Sequence, residues 1–325
     1  MRALITGAAG FIGSRLALAL RSEGRQVRAV VRPHHDVVEL ERAGVAITRG
    51  DATDVEIVSA AAEGCDVIFH LAAARGVHKL DHRSYQERNR SLAEAVVGAA
   101  LAAGGPRIVC ASTATLTGYG GPHPQTEETP ARPNSAYRSS RLLAEQVILE
   151  RREKHGLDVV IARIPQRVMG PGARAWARWA RQVRDGSIPV LPRGGSMHSA
   201  DVDDIVDGLR LCASANGIGG ERFLLGAASP IPTVEVLRMI AEELRVPFSP
   251  RIVTAAPFRG YVALGNVVHR WTRLSLPHHF TAELYSATVV LDIGKARRTL
   301  GYTPRFEPPD SIRRTVDWLR AERLV

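Results

Sequence analysis

Short apolar runs alternate with longer segments of helical spacing through the first half of the chain. Runs bounded by glycine, proline or charged residues are typical of buried strands, whereas apolar positions that recur every three or four residues predict helices. The predicted strands are 2–6, 26–32, 45–49, 66–70, 107–112 and 159–163. The predicted helices are 11–20, 55–63, 84–103 and 137–154. This alternation predicts an α/β fold with a doubly wound parallel sheet, whose ligands bind at the carboxyl ends of the strands.

The regular order loosens after residue 165. Further helices are predicted at 174–185, 202–213, 233–244, 293–300 and 309–321, and an extended segment at 222–225. The stretch 117–135 is rich in glycine and proline, so we expect a loop long enough to have a function. No low-complexity linker divides the chain. We therefore expect residues 166–325 to form a small lobe that is interwoven with a first domain of residues 1–165.

Three glycines, Gly7, Gly10 and Gly13, separate the first predicted strand from the first predicted helix. In a strand–turn–helix unit, the first glycine allows a tight turn and the second lets the backbone approach a pyrophosphate. The third allows the helix to pack closely on the strand. The free N–H groups at the start of the helix suit phosphate oxygens. The first domain is therefore predicted to be a Rossmann-type dinucleotide-binding domain.

The second predicted strand ends at Arg32, with Arg28 nearby and no acidic residue before Asp36. At this point of the dinucleotide fold an acidic residue binds the adenosine ribose, whereas an arginine suits a 2′-phosphate. The sequence therefore favours NADP(H) over NAD. The alternative is that Arg32 is a solvated strand end and that Asp36 reaches back to the ribose.

The composition of the 325 residues is that of a globular protein, with 45% hydrophobic and 23% charged residues. The net charge of +10 comes from arginines scattered along the chain, so it indicates biased composition and predicts no nucleic-acid partner. A basic entrance would still attract a phosphorylated cofactor or an anionic substrate.

The three cysteines, Cys65, Cys110 and Cys212, have neither the even number nor the close spacing of a disulfide framework or a metal site. They are predicted to be reduced, and no metal is expected. No signal-peptide pattern opens the sequence, and basic residues interrupt the apolar stretch 261–276. We expect a cytoplasmic protein without a membrane span.

Several further motifs occur in a characteristic order over nearly the whole chain. They are Thr6-Gly7-Ala8-Ala9-Gly10-Phe11-Ile12-Gly13, Gly50-Asp51, Phe69-His70-Leu71-Ala72-Ala73, Asn89, Ser112-Thr113-Ala114, Tyr137, Arg163-Ile164-Pro165 with Val168-Met169-Gly170-Pro171-Gly172, Asp201-Val202-Asp203-Asp204, and Lys295-Ala296-Arg297-Arg298 before Leu300-Gly301-Tyr302. In these motifs the chain resembles the extended short-chain dehydrogenase/reductases, which include sugar-nucleotide epimerases, dihydroflavonol reductases and 3β-hydroxysteroid dehydrogenases. The resemblance is nearest to the last two.

The resemblance implies a catalytic centre at the carboxyl end of the sheet. Tyr137 would protonate a substrate carbonyl as hydride arrives, Thr113 would hold the carbonyl oxygen, with Ser112 as the second candidate, and Asn89 would support them. The implied cofactor-binding residues are Gly7, Ala9, Gly10, Phe11, Ile12, Gly13, Arg32, Asp51, Ala52, Leu71, Ala72, Ala73, Tyr137, Arg141, Ile164 and Pro165. The resemblance also implies a homodimer through the helices 84–103 and 137–154.

One position departs from the family pattern, because Arg141 replaces the lysine four residues after the tyrosine. The two positions lie on the same side of a helix. Arginine keeps the positive charge and the hydrogen-bond donors, but its fork is larger and does not give up a proton. Two explanations remain open. Either the exchange follows the general preference for arginine, or the substrate is protonated by another route, through water or a hydroxyl of its own.

The substrate prediction rests on absences and on apolar residues. The arginine that sugar-nucleotide members place before the Asp201 segment is missing here, and the nearest one is Arg193. Trp176, Trp179 and Val183 form a stripe that is typical of a core, although it lies in the substrate lobe of the family. With the apolar stretch 258–276, this favours NADPH-dependent reduction of a bulky hydrophobic ketone such as a polyketide, another polycyclic secondary metabolite or a steroid, or the reverse reaction.

Two alternatives remain open for the function. One is an NAD-dependent sugar-nucleotide epimerase or dehydratase that retains its NAD through turnover. The other is a non-catalytic protein that senses dinucleotides on the same fold.

Overall fold

The computed structural model describes residues 1–74, 81–118, 124–188, 190–272, 276 and 279–325, with the backbone alone at 266, 269, 270, 279–281 and 284. The strands are β1 (Arg2–Thr6), β2 (Gln26–Val31), β3 (Ala46–Arg49), β4 (Val67–His70), β5 (Arg107–Thr113), β6 (Val159–Ile164), β7 (Arg167–Met169), β8 (Val190–Pro192), β9 (Ser196–Met197), β10 (Ser199–Asp201), β11 (Arg222–Leu224), β12 (Ile231–Pro232) and β13 (Arg251–Val253). The helices are α1 (Phe11–Ser22), α2 (Val38–Arg42), α3 (Val55–Ala62), α4 (His82–Ala102), α5 (Ala136–His155), α6 (Ala177–Arg184), α7 (Val202–Ser214), α8 (Thr233–Leu244), α9 (Ala256–Thr272), α10 (His279–Ser286), α11 (Gly294–Leu300) and α12 (Pro308–Ala321).

Seven parallel strands form the central sheet in the order β11-β6-β5-β4-β1-β2-β3. Successive side chains of β1 enter different cores, because Ala3 and Ile5 pack on one face of the sheet and Leu4 on the other. A strand that is buried on both faces needs apolar residues at every position, which explains the continuous apolar runs of the sequence. The prediction of a doubly wound, Rossmann-type α/β fold is confirmed.

Helices cover both faces of the sheet. α1, α7 and α11 pack against one face, and α3, α4 and α5 against the other. Residues of the second half of the chain thus complete the first core, because β11 is an edge strand of the main sheet and α7 lies on α1. The proposed division into domains at residue 165 stays a prediction. β11, from the second half of the chain, is hydrogen-bonded to β6, so both halves contribute strands to this sheet.

A further core lies between α6, α8 and α12, and Trp176, Trp179 and Val183 are buried in it. The helical segment predicted at 174–185 is confirmed, with a 3₁₀ turn over Arg174–Trp176 leading into α6. The indole N–H of Trp176 donates to the carbonyl of Val168 at 2.9 Å, which anchors this turn to β7.

α9 was not among the predicted helices, because exposed apolar residues mask its periodicity. Leu264, Val267 and Trp271 are exposed on it. Among the residues that the structure describes, no helix has the length and apolar character needed to cross a membrane. Part of the expected loop 117–135 lies outside the described residues. Its described end is tied to the lobe, where Gln125 and Asp292 share a backbone hydrogen bond of 2.8 Å.

A buried ion pair fastens α5 to the sheet. The guanidinium of Arg163, in β6, donates to both carboxylate oxygens of Glu145 at 3.1 and 2.8 Å, and to the carbonyl of Glu127 at 3.1 Å. Both side chains are more than nine-tenths buried. A charge that is buried at this depth depends on its partner.

We therefore expect that removing one partner of this pair destabilises the protein strongly. Glu145→Gln or Arg163→Met alone should lower the free energy of unfolding by about 3–5 kcal/mol, because each removes the bidentate partner of a buried charge and leaves Glu145, where it remains, only the contact with Arg222 at 3.9 Å. The double variant Glu145→Leu/Arg163→Met should lose less than the sum of the two. Urea unfolding at neutral pH measures this, with Glu87→Gln in the exposed Arg83–Glu87 pair as the control. Additive losses would contradict the coupling.

Candidate active site

The glycine turn lies where the order of the strands reverses, between β1 and the helix that follows it. Gly7 has a φ of 80°, and a Cβ on it would lie 2.6 Å from the backbone nitrogen of Ala72. A Cβ on Gly13 would lie 2.3 Å from the carbonyl oxygen of Gly7. Gly10 is the exposed N-cap of α1, and no side chain caps that end of the helix. The first N–H groups of α1 are thus available for a phosphate.

The end of β4 runs beside this turn. The backbone nitrogen of Leu71 donates to the carbonyl of Thr6 at 3.0 Å, and that of Ala72 donates to the Thr6 hydroxyl at 3.4 Å. Leu71, Ala72 and Ala73 are half-buried, as are Ala9, Phe11 and Ile12 across the turn. These predicted cofactor residues therefore line one crevice, and the atoms nearest to Gly7 are backbone atoms of Leu71 and Ala72.

The ends of β2 and β3 carry a basic cluster. Arg32 is exposed, and its guanidinium lies 3.0 Å from Nε2 of His35. Arg49 donates to the carbonyl of His35 at 2.7 Å. Burial, and then the charge of Arg32, lower the pKa of His35, so the ring accepts the arginine N–H. Asp36 accepts from the backbone nitrogen of Val38 at 3.1 Å and so faces the start of α2.

The expectation that Arg28 lies near the same site is wrong. Its guanidinium donates to the carbonyls of Ala61 and Glu63, at the end of α3, at 3.2 and 2.9 Å. Asp51 and Ala52 follow β3. Burial opposes ionisation of Asp51, but bonds from Thr53 and Arg88 outweigh it and lower the pKa of the carboxyl. The carboxylate therefore stays ionised at this edge of the crevice.

A chain of hydrogen bonds fixes the first turn of α5, which carries Tyr137. Asn89 accepts from the backbone nitrogen of Ala74 at 2.7 Å, and its amide donates to the Ser140 hydroxyl at 2.7 Å. Ser140 in turn donates to the carbonyl of Tyr137 at 2.8 Å. Asn89 is fully buried and Tyr137 is half-buried. Asn89 therefore joins the end of β4 to the helix of the tyrosine.

Ser112 and Thr113 end β5, and their hydroxyls have different surroundings. The Thr113 hydroxyl lies 2.9 Å from that of Thr115 and accepts from the Thr115 backbone nitrogen at 3.3 Å. Either hydroxyl of this pair can be the donor. The Ser112 hydroxyl is buried and has no hydrogen-bond partner among the described residues.

Arg141 is buried at the carboxyl ends of β4 and β5. Its Nη2 donates to the carbonyl of Ala111, while Nη1 has no hydrogen-bond partner in the part of the chain that the structure describes. Cys110 and His70 lie beside it. Burial first, and then the charge of Arg141, lower the pKa of His70 to about 3. Burial raises the pKa of the Cys110 thiol to about 11 although Arg141 opposes it, so both neighbours of the guanidinium are neutral.

Nδ1 of His70 and the Thr6 hydroxyl share a hydrogen bond of 2.9 Å, in which either group can donate. Nε2 of His70 is buried and has no hydrogen-bond partner among the described residues, as is true of Nη1 of Arg141 and of the Ser112 hydroxyl. These three residues thus offer unsatisfied buried polar atoms at one edge of the sheet. Buried polar groups are normally satisfied, so ligand groups such as ribose hydroxyls fit here, and the site as a whole fits a dinucleotide.

A cavity that is open to solvent, with about 390 Å³ of space between the protein atoms and the solvent at its mouth, lies next to the end of β5. It is lined by Ala114 and Thr115, by Pro165 to Arg167, by residues 196–198, and by Ala287, Val289 and Leu291. Ala114 directly follows Thr113, while Thr113 and Tyr137 themselves are not among the lining residues. The predicted cofactor residue Pro165 is part of its wall, and Ile164 is buried behind it.

A sequence profile of the NAD dependent epimerase/dehydratase family matches residues 3–226. The chain belongs to this family. Like the other members of the family, the protein is an NAD(P)-dependent oxidoreductase of the extended short-chain dehydrogenase/reductase type.

Named relatives of this family member match nearly its full length. It is 28% identical to the 2-alkyl-3-oxoalkanoate reductase of Stenotrophomonas maltophilia, covering 97% of this chain and 98% of the relative. It is also 28% identical to the 4-hydroxy-2-methyl-3-oxo-4-farnesyl-3,4-dihydroquinoline-1-oxide ketoreductase of Stigmatella aurantiaca, covering 94% and 92%. DesIV, a dTDP-glucose 4,6-dehydratase from Streptomyces venezuelae, has the same fold, with a TM-score of 0.80 at 24% identity over 99% of this chain and 98% of that one.

Sequence reasoning assigned no role to three residues of the site. His70 belongs to the motif Phe69-His70-Leu71-Ala72-Ala73, and its position at the end of a buried strand was the signal that could have identified it as a site residue. Arg167 and His198 line the cavity but come from separate segments. His198 accepts from the Leu291 nitrogen at 3.0 Å and faces the Ala227 carbonyl at 2.9 Å, which fixes its neutral tautomer.

His70 should make the protein sensitive to acid. Its pKa is about 3 in the fold and about 6.5 when unfolded, so between these values the unfolded chain binds the extra proton and stability falls as the pH drops. In His70→Asn this loss is absent. From pH 7 to pH 5, the wild type should therefore lose about 2 kcal/mol more of its free energy of unfolding than His70→Asn does.

Urea titrations at the two pH values measure this shift. Replacing the exposed His155 by Gln controls for the loss of a histidine as such. Parallel stability curves for the wild type and His70→Asn would contradict a neutral, buried His70.

Proposed function

We propose that this enzyme reduces a bulky, largely apolar ketone with NADPH, or oxidises the corresponding alcohol. The observation that carries the proposal is the open cavity beside Ala114, the residue that follows Thr113, because its walls are mostly apolar. A hydrophobic carbonyl compound, such as a polyketide, another polycyclic metabolite or a steroid, suits such walls. The two reductases among the relatives, whose names describe oxo compounds with alkyl or farnesyl groups, support it.

The proposed roles at the carbonyl follow from the groups present. When bound, the nicotinamide supplies the hydride in reduction and accepts it in oxidation. As the carbonyl carbon gains the hydride, the C=O π pair moves to the oxygen, and Tyr137 transfers its phenolic proton there. The Thr113 hydroxyl donates a hydrogen bond to the same oxygen and stabilises its developing charge. Ser112 is the second candidate for this bond.

Arg141 is assigned a binding role and no part in proton transfer. Its guanidinium stays charged, and its free Nη1 suits an acceptor such as a ribose hydroxyl. Tyr137 then recovers its proton through water or through a hydroxyl of the substrate. Asn89 fixes the position of α5 relative to the end of β4 through its bonds to Ala74 and Ser140, so that Tyr137 and Arg141 face the same site.

NADP(H) is proposed on the basic cluster at the ends of β2 and β3. Arg32 is exposed beside His35 and Arg49, and Asp36 is engaged at α2. This arrangement offers the exposed charge of Arg32 to the 2′-position, while Arg49 is paired with Glu41 at 2.9 Å. The proposed homodimer through α4 and α5 rests on the family resemblance, and the proposed cytoplasmic location on the sequence.

Arg32 should decide between the two dinucleotides. In Arg32→Ala the dissociation constant of NADPH should rise about ten- to hundredfold, because a charge-assisted bond to the 2′-phosphate is lost. The dissociation constant of NADH should hardly change. Calorimetry on the wild type and the variant measures both constants.

The control for this experiment is Arg28→Ala, since Arg28 lies in the same strand but binds the end of α3. It should keep the preference for NADPH. Purified protein that carries a stoichiometric, tightly held NAD would contradict the proposal and favour the sugar-nucleotide epimerase or dehydratase.

Tyr137→Phe should lower kcat of ketone reduction by about 10² to 10⁴, because general-acid catalysis is lost. NADPH binding should be retained, since only the phenolic hydroxyl is removed. Tyr85→Phe is the matched control, because Tyr85 is a buried phenol of α4 near Tyr137. Stopped-flow reduction under single-turnover conditions compares the variants. An unchanged rate in Tyr137→Phe would contradict its role as the acid.

A further inference from the structure

A buried carboxylate joins α10 of the lobe to the start of α5. Glu283, in α10, accepts a hydrogen bond at Oε1 from the side-chain amide of Asn134 at 2.9 Å, and the same oxygen lies 3.6 Å from Nη1 of Arg138. This nitrogen of Arg138 also donates to the side-chain carbonyl of Asn134. Glu283 and Arg138 are both more than nine-tenths buried. The three side chains therefore contact one another, and each fixes the other two.

These contacts hold the turn of α5 that carries Tyr137. Ser135 is the N-cap of α5, so Tyr137 is the second residue of the helix and Arg138 the third. The N–H groups of a first helical turn have no partners within the helix, so contacts outside the helix decide how this turn lies. Asn89 holds the turn on the side of β4, and Glu283 holds it on the side of the lobe.

α10 leads directly into one wall of the cavity. The backbone nitrogen of Ala287 donates to the carbonyl of Glu283 at 2.8 Å. The wall residues of this segment are Ala287, Val289 and Leu291. The other end of the segment is hydrogen-bonded to the backbone of Gln125, whose side chain accepts from the Thr117 hydroxyl at 2.6 Å. Thr117 ends the 3₁₀ turn that follows β5. The wall is therefore tied to both elements that carry the proposed catalytic hydroxyls.

The contact between α10 and α5 is charged although it is buried. A buried ion pair gains little stability over an apolar contact of the same size, because the loss of hydration offsets the attraction. A hydrogen bond, however, is strong only within a narrow range of distances and angles, whereas an apolar contact tolerates sliding. The contact through Glu283 therefore restricts how α5 lies against α10 more than it stabilises the fold.

We propose that Glu283 is a positioning residue for Tyr137. Through Asn134 and Arg138 it sets the distance between the phenol and a substrate that lies against the wall of the cavity. Glu283 itself is not among the residues described as lining the cavity, so it acts through its partners. The inference rests on the proposed role of Tyr137 and deepens it. A shift of a catalytic group by about 1 Å can cost about a hundredfold in rate.

Reduction of decalone, a saturated bicyclic ketone, by NADPH tests the proposal. Glu283→Leu should lower kcat by about ten- to hundredfold, because the phenol is no longer held at the carbonyl. KM and the dissociation constant of NADPH should change by less than about twofold, since neither the cavity wall nor the crevice loses a side chain. Glu283→Gln should lose less, because its amide oxygen still accepts from Asn134.

A double-mutant cycle separates positioning from a general loss of structure. In the Tyr137→Phe variant, Glu283→Leu should lower kcat by less than about threefold, because the hydroxyl that it positions is already absent. An equal loss with and without the Tyr137 hydroxyl would overturn the proposal. If Glu283→Leu alone does not fold, Glu283→Leu/Arg138→Met takes its place with the same expectations, because it replaces both buried charges by apolar groups.

Glu145→Gln is the matched control, because Glu145 is also a buried carboxylate paired with an arginine and belongs to α5 itself. It should destabilise the protein and leave kcat unchanged at a temperature where the variant is folded. A loss of kcat as large as that of Glu283→Leu would overturn the proposal, since any weakening of α5 would then have the same effect.

Fluorine NMR of protein labelled with fluorotyrosine tests the positioning without turnover. The resonance of Tyr137 is assigned by its absence from the spectrum of Tyr137→Phe. It should shift in Glu283→Leu and stay in place in Glu145→Gln. An unchanged resonance in Glu283→Leu would overturn the proposal. If the resonance shifts as expected but the wild type reduces no decalone, Glu283 still positions Tyr137 and the result counts against the reductase proposal.

Discussion

The close approach between the first turn and the end of β4 is the constraint on which the rest of the site depends. A Cβ on Gly7 would overlap the backbone at Ala72, and one on Gly13 would overlap the carbonyl of Gly7. β1, β4 and α1 therefore meet without side chains between them, where the order of the strands reverses. This places the exposed N-terminus of α1 against the carboxyl edge of the sheet, so a phosphate and a planar ring can both reach backbone.

The same edge explains how an arginine fits where the family has lysine. A guanidinium is larger than an ammonium, and at this depth it requires acceptors and neutral neighbours. The Ala111 carbonyl supplies the acceptor, while His70 and Cys110 remain uncharged because burial opposes their ionisation. The arginine at this position is therefore accommodated by the carbonyl and the two uncharged side chains that surround it. Nη1 of Arg141 has no hydrogen-bond partner among the described residues, which supports the proposed binding role over a proton relay.

Local patterns predicted most of the sheet, and long-range contacts explain what they missed. β1 and β6 agree with the sequence to within a residue, because a strand buried on both faces requires an unbroken apolar run. α9 was missed because large apolar residues such as Leu264 and Trp271 are exposed on it, so its apolar positions do not mark one buried face. Arg28 was misplaced because four residues of an extended strand span about 13 Å, which brings its side chain to α3 and not to the crevice.

The proposed cofactor end and the proposed substrate end of the site therefore differ in how well the sequence predicts them. The proposed cofactor end consists of residues that belong to short sequence motifs, so its glycines and its tyrosine could be predicted from the sequence. The substrate end joins segments that are distant in sequence: His198 links Leu291 to Ala227, and Arg167 depends on tryptophans of the lobe. No short sequence motif predicts a cavity wall that is formed by segments so far apart in the chain. Changes in the lobe can thus alter the substrate while β1, α1 and the catalytic edge stay as they are, which is how one fold serves many reactions.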